Sequence, residues 1–278
     1  MSGTRVAVKR LELDVVSDAG EGCLSQMADQ MCTEVEVLSQ VQHVNIVPLL
    51  GSSKDGMAPC SVYTFMEGGS LQDRLTCRGI GAVPLTASER ILVLSDVARG
   101  LAYLHSEVRV IHCDVKSANV LLDRGCRDRI GDFGIAKSLH DNHTSISATY
   151  IHTAHVLDTQ VYMAPEYIKG DLSMKVDAFA FGLVVLETLT GYAICSPAPG
   201  HVNLLSMFDQ ELYTPSKLLV HLDKRACWDQ HKQERTGRLH SIANRCLEAR
   251  RNRRPEFVEL IPELDETRHR VAASRELG

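Results

Sequence analysis

The stretch Ile111-His112-Cys113-Asp114-Val115-Lys116-Ser117-Ala118-Asn119 restricts this chain more than any other, because Asp132-Phe133-Gly134 and Ala164-Pro165-Glu166 follow it in that order. An Asp, a Lys two residues on and an Asn three beyond put a carboxylate, an ammonium and an amide on one loop. Such groups can orient an acceptor hydroxyl, steady a transferring phosphate and hold a metal ion. One such string is within chance. Three in sequence demand a fold that gathers them.

Composition narrows the setting. At 278 residues the chain has room for two lobes, and 44% hydrophobic residues supply a substantial core. A net charge of −5 gives no reason to expect nucleic acid or an anionic membrane as the main partner. Nine scattered cysteines without a C-x-x-C pair point to reduced thiols rather than a disulfide framework or zinc site. Met1 to Arg5 has no apolar run of signal type, and the longest apolar stretch, Phe179 to Leu189, is interrupted by Glu187. The expectation is a soluble cytoplasmic protein without membrane insertion.

Periodicity supplies the outline. Arg5 to Leu11 reads as a strand carrying Lys9, and a loop around Ala19-Gly20-Glu21-Gly22 leads to a helix over 25–40 with the stripe Met27, Met31, Val35 and Leu38. At about 100° per residue, Glu34 lies beside that stripe and Glu36 points away from it. Strands Ile46–Leu50 and Ser61–Phe65 follow, joined by a turn at Lys54-Asp55-Gly56, and Glu67-Gly68-Gly69-Ser70 reads as a flexible connector. Beyond it the pattern is mainly helical. Thr86-Ala87-Ser88-Glu89 is a capping box for a helix burying Leu94, Val97, Leu101 and Leu104. Further helices are expected over Met174–Leu189, Leu239–Glu248 and Phe257–Thr267. The outline is a small α+β lobe over 1–66, a helical lobe over 67–270 and a frayed tail over 271–278.

Val6-Ala7-Val8-Lys9, the helix Glu34, the His-x-Asp-x-Lys-x-x-Asn string, Asp-Phe-Gly and Ala-Pro-Glu together resemble a eukaryotic protein kinase domain, which implies the bilobal kinase fold. Gln42-His43-Val44-Asn45-Ile46-Val47, Val62-Tyr63-Thr64-Phe65-Met66, Gly69 to Leu75 and Asp114 to Asp123 resemble the interleukin-1 receptor-associated kinase and Pelle group. Tyr63 is the most telling, and plant receptor-like kinases share much of the rest. The resemblance implies ATP and Mg2+ as cofactors, protein Ser/Thr substrates and a receptor-proximal complex of the Toll/interleukin type. It implies Asp114 as base, Lys116 on the γ-phosphate, Asn119 and Asp132 on metal, and Lys9 on the α- and β-phosphates, oriented by Glu34. Ala7, Tyr63, Met66 and Leu121 would line the nucleotide site, and Asp73 would reach the ribose. Asp-x-Lys favours a Ser/Thr acceptor, and Thr159 fits the threonine that bonds the catalytic Asp and Lys.

Other matches carry architecture. Glu166 is expected to pair with Arg254, and Asp177 to tie its helix to the catalytic-loop backbone. Leu38, Leu49, His112 and Phe133 resemble the column that aligns the lobes, although plain core packing describes its apolar members equally well. Gly134 completes the Asp-Phe-Gly turn. Residues 138–160 read as a polar loop, with Ser138, Thr144, Ser145, Ser147, Thr149 and Thr153 as acceptors for a phosphate that would order it. Cys113 stands where kinases usually have Arg, so this is a non-RD site in which another cation, such as Lys137, would have to pair with that phosphate. His140, His143, His152 and His155 lack ligand-type support and read as solvated.

Only eight residues precede Lys9, too few for the glycine-rich hairpin that covers ATP in kinases. Gly20-Glu21-Gly22 and Gly79-Ile80-Gly81 come too late to replace it. Weak nucleotide binding and an exposed apolar strand edge are the expectation. Two readings stay open: part of a longer active kinase, or a short form that binds partners without phosphorylating them.

Overall fold

The computed structural model describes residues 3–10, 21–54, 59–78, 83–139, 160–194, 204–208 and 214–269. Strand β1 (Val6–Arg10), helix α1 (Glu21–Ser39) and strands β2 (Leu49–Ser53) and β3 (Cys60–Thr64) form the first part. The sheet order is β1-β3-β2, antiparallel throughout, with Lys9 opposite Ser61 and Leu49 opposite Tyr63. Among the described residues β1 is therefore an edge, and Val6 and Val8 on it are exposed.

The second part begins with β4 (Gly69–Ser70) and α2 (Leu71–Thr76), then α3 (Ala87–Tyr103). Strands β5 (Val110–Ile111), β6 (Val120–Leu122), β7 (Asp128–Ile130) and β8 (Lys137–Ser138) carry the catalytic loops. Helices α4 (Pro165–Ile168), α5 (Lys175–Thr190), α6 (Leu204–Met207), α7 (Pro215–His221), α8 (Lys232–Cys246) and α9 (Phe257–His269) complete it. The order β4-β6-β7 forms one small sheet and β5 pairs with β8. This is the α+β, bilobal arrangement expected. Its core lies in the helical part, where Ile91, Leu94, Val97, Leu101 and Leu104 meet an α5 that is buried almost all round. Thr86 caps α3 through its hydroxyl, and Glu89 returns the bond to the Thr86 N–H at 2.7 Å, the expected capping box.

Several boundaries move, each for a physical reason. Helix α1 starts at Glu21, and its buried face is Glu34, Val37 and Leu38 rather than a stripe from Met27, which is exposed. The run at Ile46 and Val47 is no part of β2. Those side chains are buried against the other sheet, where Ile46 bridges Ile130 and Val47 N–H bonds the Ile130 carbonyl at 2.9 Å. Helix α5 is displaced by one residue at each end. Helix α8 begins at Lys232 because Arg235 and Thr236, polar in sequence, are buried there. Helix α9 runs two residues further than expected.

The segment from Glu67 to Ser70 is a built element, not a loose connector. Gly68 N–H bonds the Leu122 carbonyl at 2.7 Å, and a Cβ on Gly68 would stand 2.6 Å from the Asp123 carbonyl oxygen. Gly69 takes φ +74°, and Ser70 pairs with Leu121 while capping α2. The turn at Asp55-Gly56, the strings Ala19-Gly20 and Gly79-Ile80-Gly81, the loop 140–159 and the tail 271–278 lie outside the described residues.

Candidate active site

Strand β1 directs Lys9 at two carboxylates from distant parts of the chain. Its Nζ donates to Glu34 Oε2 at 3.0 Å and to Asp132 Oδ1 at 2.7 Å. Glu34 is buried on α1, as its angle to the stripe predicts, and its other oxygen accepts the Phe133 N–H at 3.3 Å. Burial alone would push the Lys9 pKa down; Asp132 and Glu34 more than offset it and hold it above the ordinary lysine value. Burial likewise opposes ionisation of Asp132, but Lys9 and Lys116 outweigh it and keep that carboxylate charged.

Asp114 sits at the centre of the catalytic loop, largely buried. Its Oδ2 accepts from Lys116 Nζ at 2.9 Å and from Asn119 Nδ2 at 2.9 Å; Oδ1 is buried without a hydrogen-bond partner among the described residues. Burial raises its pKa, and Lys116 offsets that only in part. One oxygen is thus locked and the other left available to a proton from outside. Asn119 also bonds the Asp114 carbonyl at 2.9 Å. With its N–H2 spent on Asp114, its amide oxygen remains a ligand of the hard type.

The loop is held from below. Asp177 on α5 accepts the His112 N–H at 2.8 Å, the Cys113 N–H at 2.9 Å and a bond from His105 Nε2 at 2.8 Å. His112 Nδ1 accepts the Asp114 N–H at 3.2 Å, which leaves Nε2–H to donate to the Gly131 carbonyl at 3.2 Å. Its ring lies 4.6 Å from that of Phe133, which is fully buried. Cys113 and Asp132 both adopt left-handed backbone, φ +66° and +63°, at about 1–3 kcal/mol each for a non-glycine residue. The Asp177 bonds fix the first and the Lys9 bond helps to fix the second.

Cys113 is buried, its thiol donating to the Ile111 carbonyl at 3.6 Å, and burial pushes its pKa up. It is an inert packing group in the position where kinases carry a cation. Gly134 approaches α1 closely; a Cβ there would meet Gln30 Cβ at 3.4 Å. Leu38 is buried and Leu49 packs half-buried on the same core. Glu166 and Arg254 form the expected bidentate pair, through Nη1 to Oε1 and Nη2 to Oε2, the latter at 3.0 Å. Thr159 lies outside the described residues.

Beside Lys9 opens a cleft of about 380 Å³ lined by Ala7, Val8, Lys9, Glu34, Leu38, Val47, Tyr63, Thr64, Phe65, Met66, Leu121, Gly131 and Asp132. The sequence-expected Ala7, Tyr63, Met66 and Leu121 all reach it. Val47 and Gly131 were missed; the signal was Gly131 immediately before Asp132, where a Cβ would stand 3.4 Å from Val47 and 3.5 Å from Leu121. Asp73 is not among these residues. Its carboxylate accepts the Ser70 N–H at 3.0 Å and the Ser70 hydroxyl at 2.7 Å, closing the capping box of α2. An apolar slot ending in a Lys–Glu–Asp cluster, next to a base held by Lys and Asn, is the site of a phosphoryl-transfer protein.

The protein kinase domain profile matches residues 1–263. The chain belongs to the protein kinase family. It is 39% identical over 233 residues to the Pelle-like serine/threonine-protein kinase pik-1 of Caenorhabditis elegans, covering 81% of this chain and 47% of that protein. It is 33% identical over 271 residues to the probable serine/threonine-protein kinase PBL28 of Arabidopsis thaliana, covering 95% and 68%. PBL9 from the same plant is 34% identical over 268 residues, covering 95% and 62%. The chain thus spans about half of pik-1 and about two thirds of the two plant kinases, and is a kinase domain of the serine/threonine class. Among the described residues no helix is long and apolar enough to cross a membrane.

Proposed function

We propose that this chain transfers the γ-phosphate of ATP to serine or threonine hydroxyls of protein substrates, as a cytoplasmic kinase close to a receptor complex. The observation that carries this reading is Asp114, with Oδ2 locked by Lys116 and Asn119 and Oδ1 free. Oδ1 takes the hydroxyl proton as the acceptor oxygen bonds to phosphorus and the ADP oxygen departs with the electron pair. Lys116 steadies the γ-phosphate, and Lys9, held by Glu34, the α- and β-phosphates. Met66 offers backbone groups to adenine between Ala7 and Leu121, with Tyr63 closing the rear wall. Asn119 and Asp132, oxygen donors one of which is kept ionised, fit magnesium, whose chemistry is to bridge phosphates and offset charge.

Identity to a Pelle-like kinase, together with Tyr63 and the matching strings, supports a role in Toll/interleukin-type signalling. The 95% coverage by PBL28 supports the plant-type cytoplasmic alternative to the same degree. A scaffold that binds partners without phosphorylating them takes its support from the exposed Val6 and Val8 on the β1 edge. The test is incubation with Mg2+, ATP and degenerate Ser/Thr peptides. Phosphoserine or phosphothreonine is expected, and Asp114→Asn lowers kcat by about 10²–10⁴-fold. Equal turnover in the variant overturns the roles, and nucleotide binding without turnover favours the scaffold.

A further inference from the structure

A buried acid lies behind the catalytic loop, joined to it by two hydroxyl groups. Glu187 on α5 is 1% exposed. Its Oε1 accepts the Tyr162 hydroxyl at 2.8 Å and the Ile194 N–H at 3.4 Å; Oε2 is buried without a hydrogen-bond partner. Tyr162 is buried too, and its hydroxyl lies 3.4 Å from Ser117 Oγ. Ser117, fully buried, sits between Lys116 and Asn119, whose N–H bonds the Lys116 carbonyl at 3.0 Å. Three separate segments meet at one carboxyl: the approach to Ala164-Pro165-Glu166, the catalytic loop and the central helix. Neighbouring Val184, Val185, Leu186 and Leu189 are all fully buried, so an apolar residue would cost less at this position than a carboxyl.

We propose that Glu187 is a positioning residue for phosphoryl transfer: its carboxylate holds the Tyr162 hydroxyl, and Tyr162 through Ser117 fixes the Lys116–Asn119 stretch. The inference rests on the kinase reading above. The groups facing Glu187 are the Tyr162 phenol from the activation segment, the Ser117 hydroxyl from the catalytic loop and the Ile194 N–H after α5. None is a cation, so nothing offsets burial, and the carboxyl is pushed up to about 7. Burial pushes the Tyr162 phenol up as well, which keeps it a donor. A proton on Glu187 turns a charge-assisted acceptor into a neutral one of roughly half the strength. The raised value means protonation below about 7, so the loop is best held above it.

The experiment is kcat and KM against pH, from 6 to 8.5, for the wild type, Glu187→Gln and Tyr162→Phe. Wild-type kcat is expected to rise about 3–10-fold, the worth of one hydrogen bond, along a one-proton curve. Glu187→Gln stays at the low-pH level throughout with KM for ATP unchanged, and Tyr162→Phe is equally flat. A rise of wild-type shape in Glu187→Gln overturns the proposal. A second readout needs no turnover: the Tyr162 ring carbon signal in tyrosine-labelled protein, assigned by its loss in Tyr162→Phe. It is expected to shift with a midpoint near the Glu187 value and to be constant in Glu187→Gln. A titrating signal without any phosphotransfer sinks the kinase reading and leaves the coupling standing. A signal indifferent to pH sinks the coupling whatever the activity.

Discussion

Two clusters of opposite charge hold the molecule, and they differ in how much water reaches them. At the base of the helical part the Arg254 side chain is fully buried. It grips both Glu166 oxygens and the carbonyls of Glu248 and Lys175, and lies 4.8 Å over the Phe179 ring. In the cleft the Lys9 side chain is 54% exposed, on an edge strand, between a buried Glu34 and a 43% exposed Asp132. A dry, fully bonded pair is a permanent clasp. A wet one on a separable element can open and close, because water takes over from either partner at small cost. The helical part fixes the catalytic loop from beneath, and the contact that completes the site from above is the reversible one.

The largest test of this contrast is to break the clasp. Arg254→Ala leaves Glu166 without its cation and two carbonyls without a donor, so unfolding free energy should fall by about 3–5 kcal/mol. Urea unfolding at constant m-value measures it. A loss below 1 kcal/mol would place Arg254 with the surface pairs and remove the distinction.

A carboxyl in the same dry region tests the rule from the other side. Asp128 on β7 is fully buried, and neither side-chain oxygen has a hydrogen-bond partner among the described residues. Burial raises its pKa well above the carboxylate range, and Asp96 adds to the shift. The folded state therefore keeps a proton that the unfolded chain releases. Stability from this group is fullest below about pH 4 and is lost as pH rises toward the folded value. Asp128→Ala should gain about 1–3 kcal/mol at pH 7 and flatten that part of the stability–pH curve. A destabilised variant would mean that the carboxyl is satisfied in solution.

These two residues also mark what the sequence made legible. Asp114, Lys116, Asn119 and Asp132 stand out because their chemistry is confined to two loops, and a loop's string survives without knowledge of the fold. Glu34 was legible through helix geometry alone. Asp128 was not: Arg127-Asp128-Arg129 looks like a solvated charge run, and only the alternation of β7 turns its middle member inward. Ile46 misled for the converse reason, an apolar run serving a crossing between sheets instead of a strand. The Ser70–Asp73 capping box was present as a Ser followed three residues later by an acid, and the family match drew attention away from it. Glu187 hid inside a hydrophobic run, since burial of a carboxyl depends on hydroxyls that the chain supplies from elsewhere.

The smallest stability effect belongs to the wet cluster, and it sharpens the comparison most. Glu34→Gln keeps the shape and one acceptor for the Phe133 N–H, while removing the charge that faces Lys9. Lys9 retains Asp132 and its access to water, so unfolding free energy should change by about 1 kcal/mol or less. Phosphotransfer should nevertheless fall well beyond what that change predicts, because Lys9 is then oriented by one carboxylate that is itself needed for metal. Paired urea titrations and peptide phosphorylation rates separate the two quantities. A variant that loses 3 kcal/mol while keeping its rate would make the Lys9–Glu34 pair a clasp like Arg254–Glu166, and the reversible contact would have to be sought elsewhere.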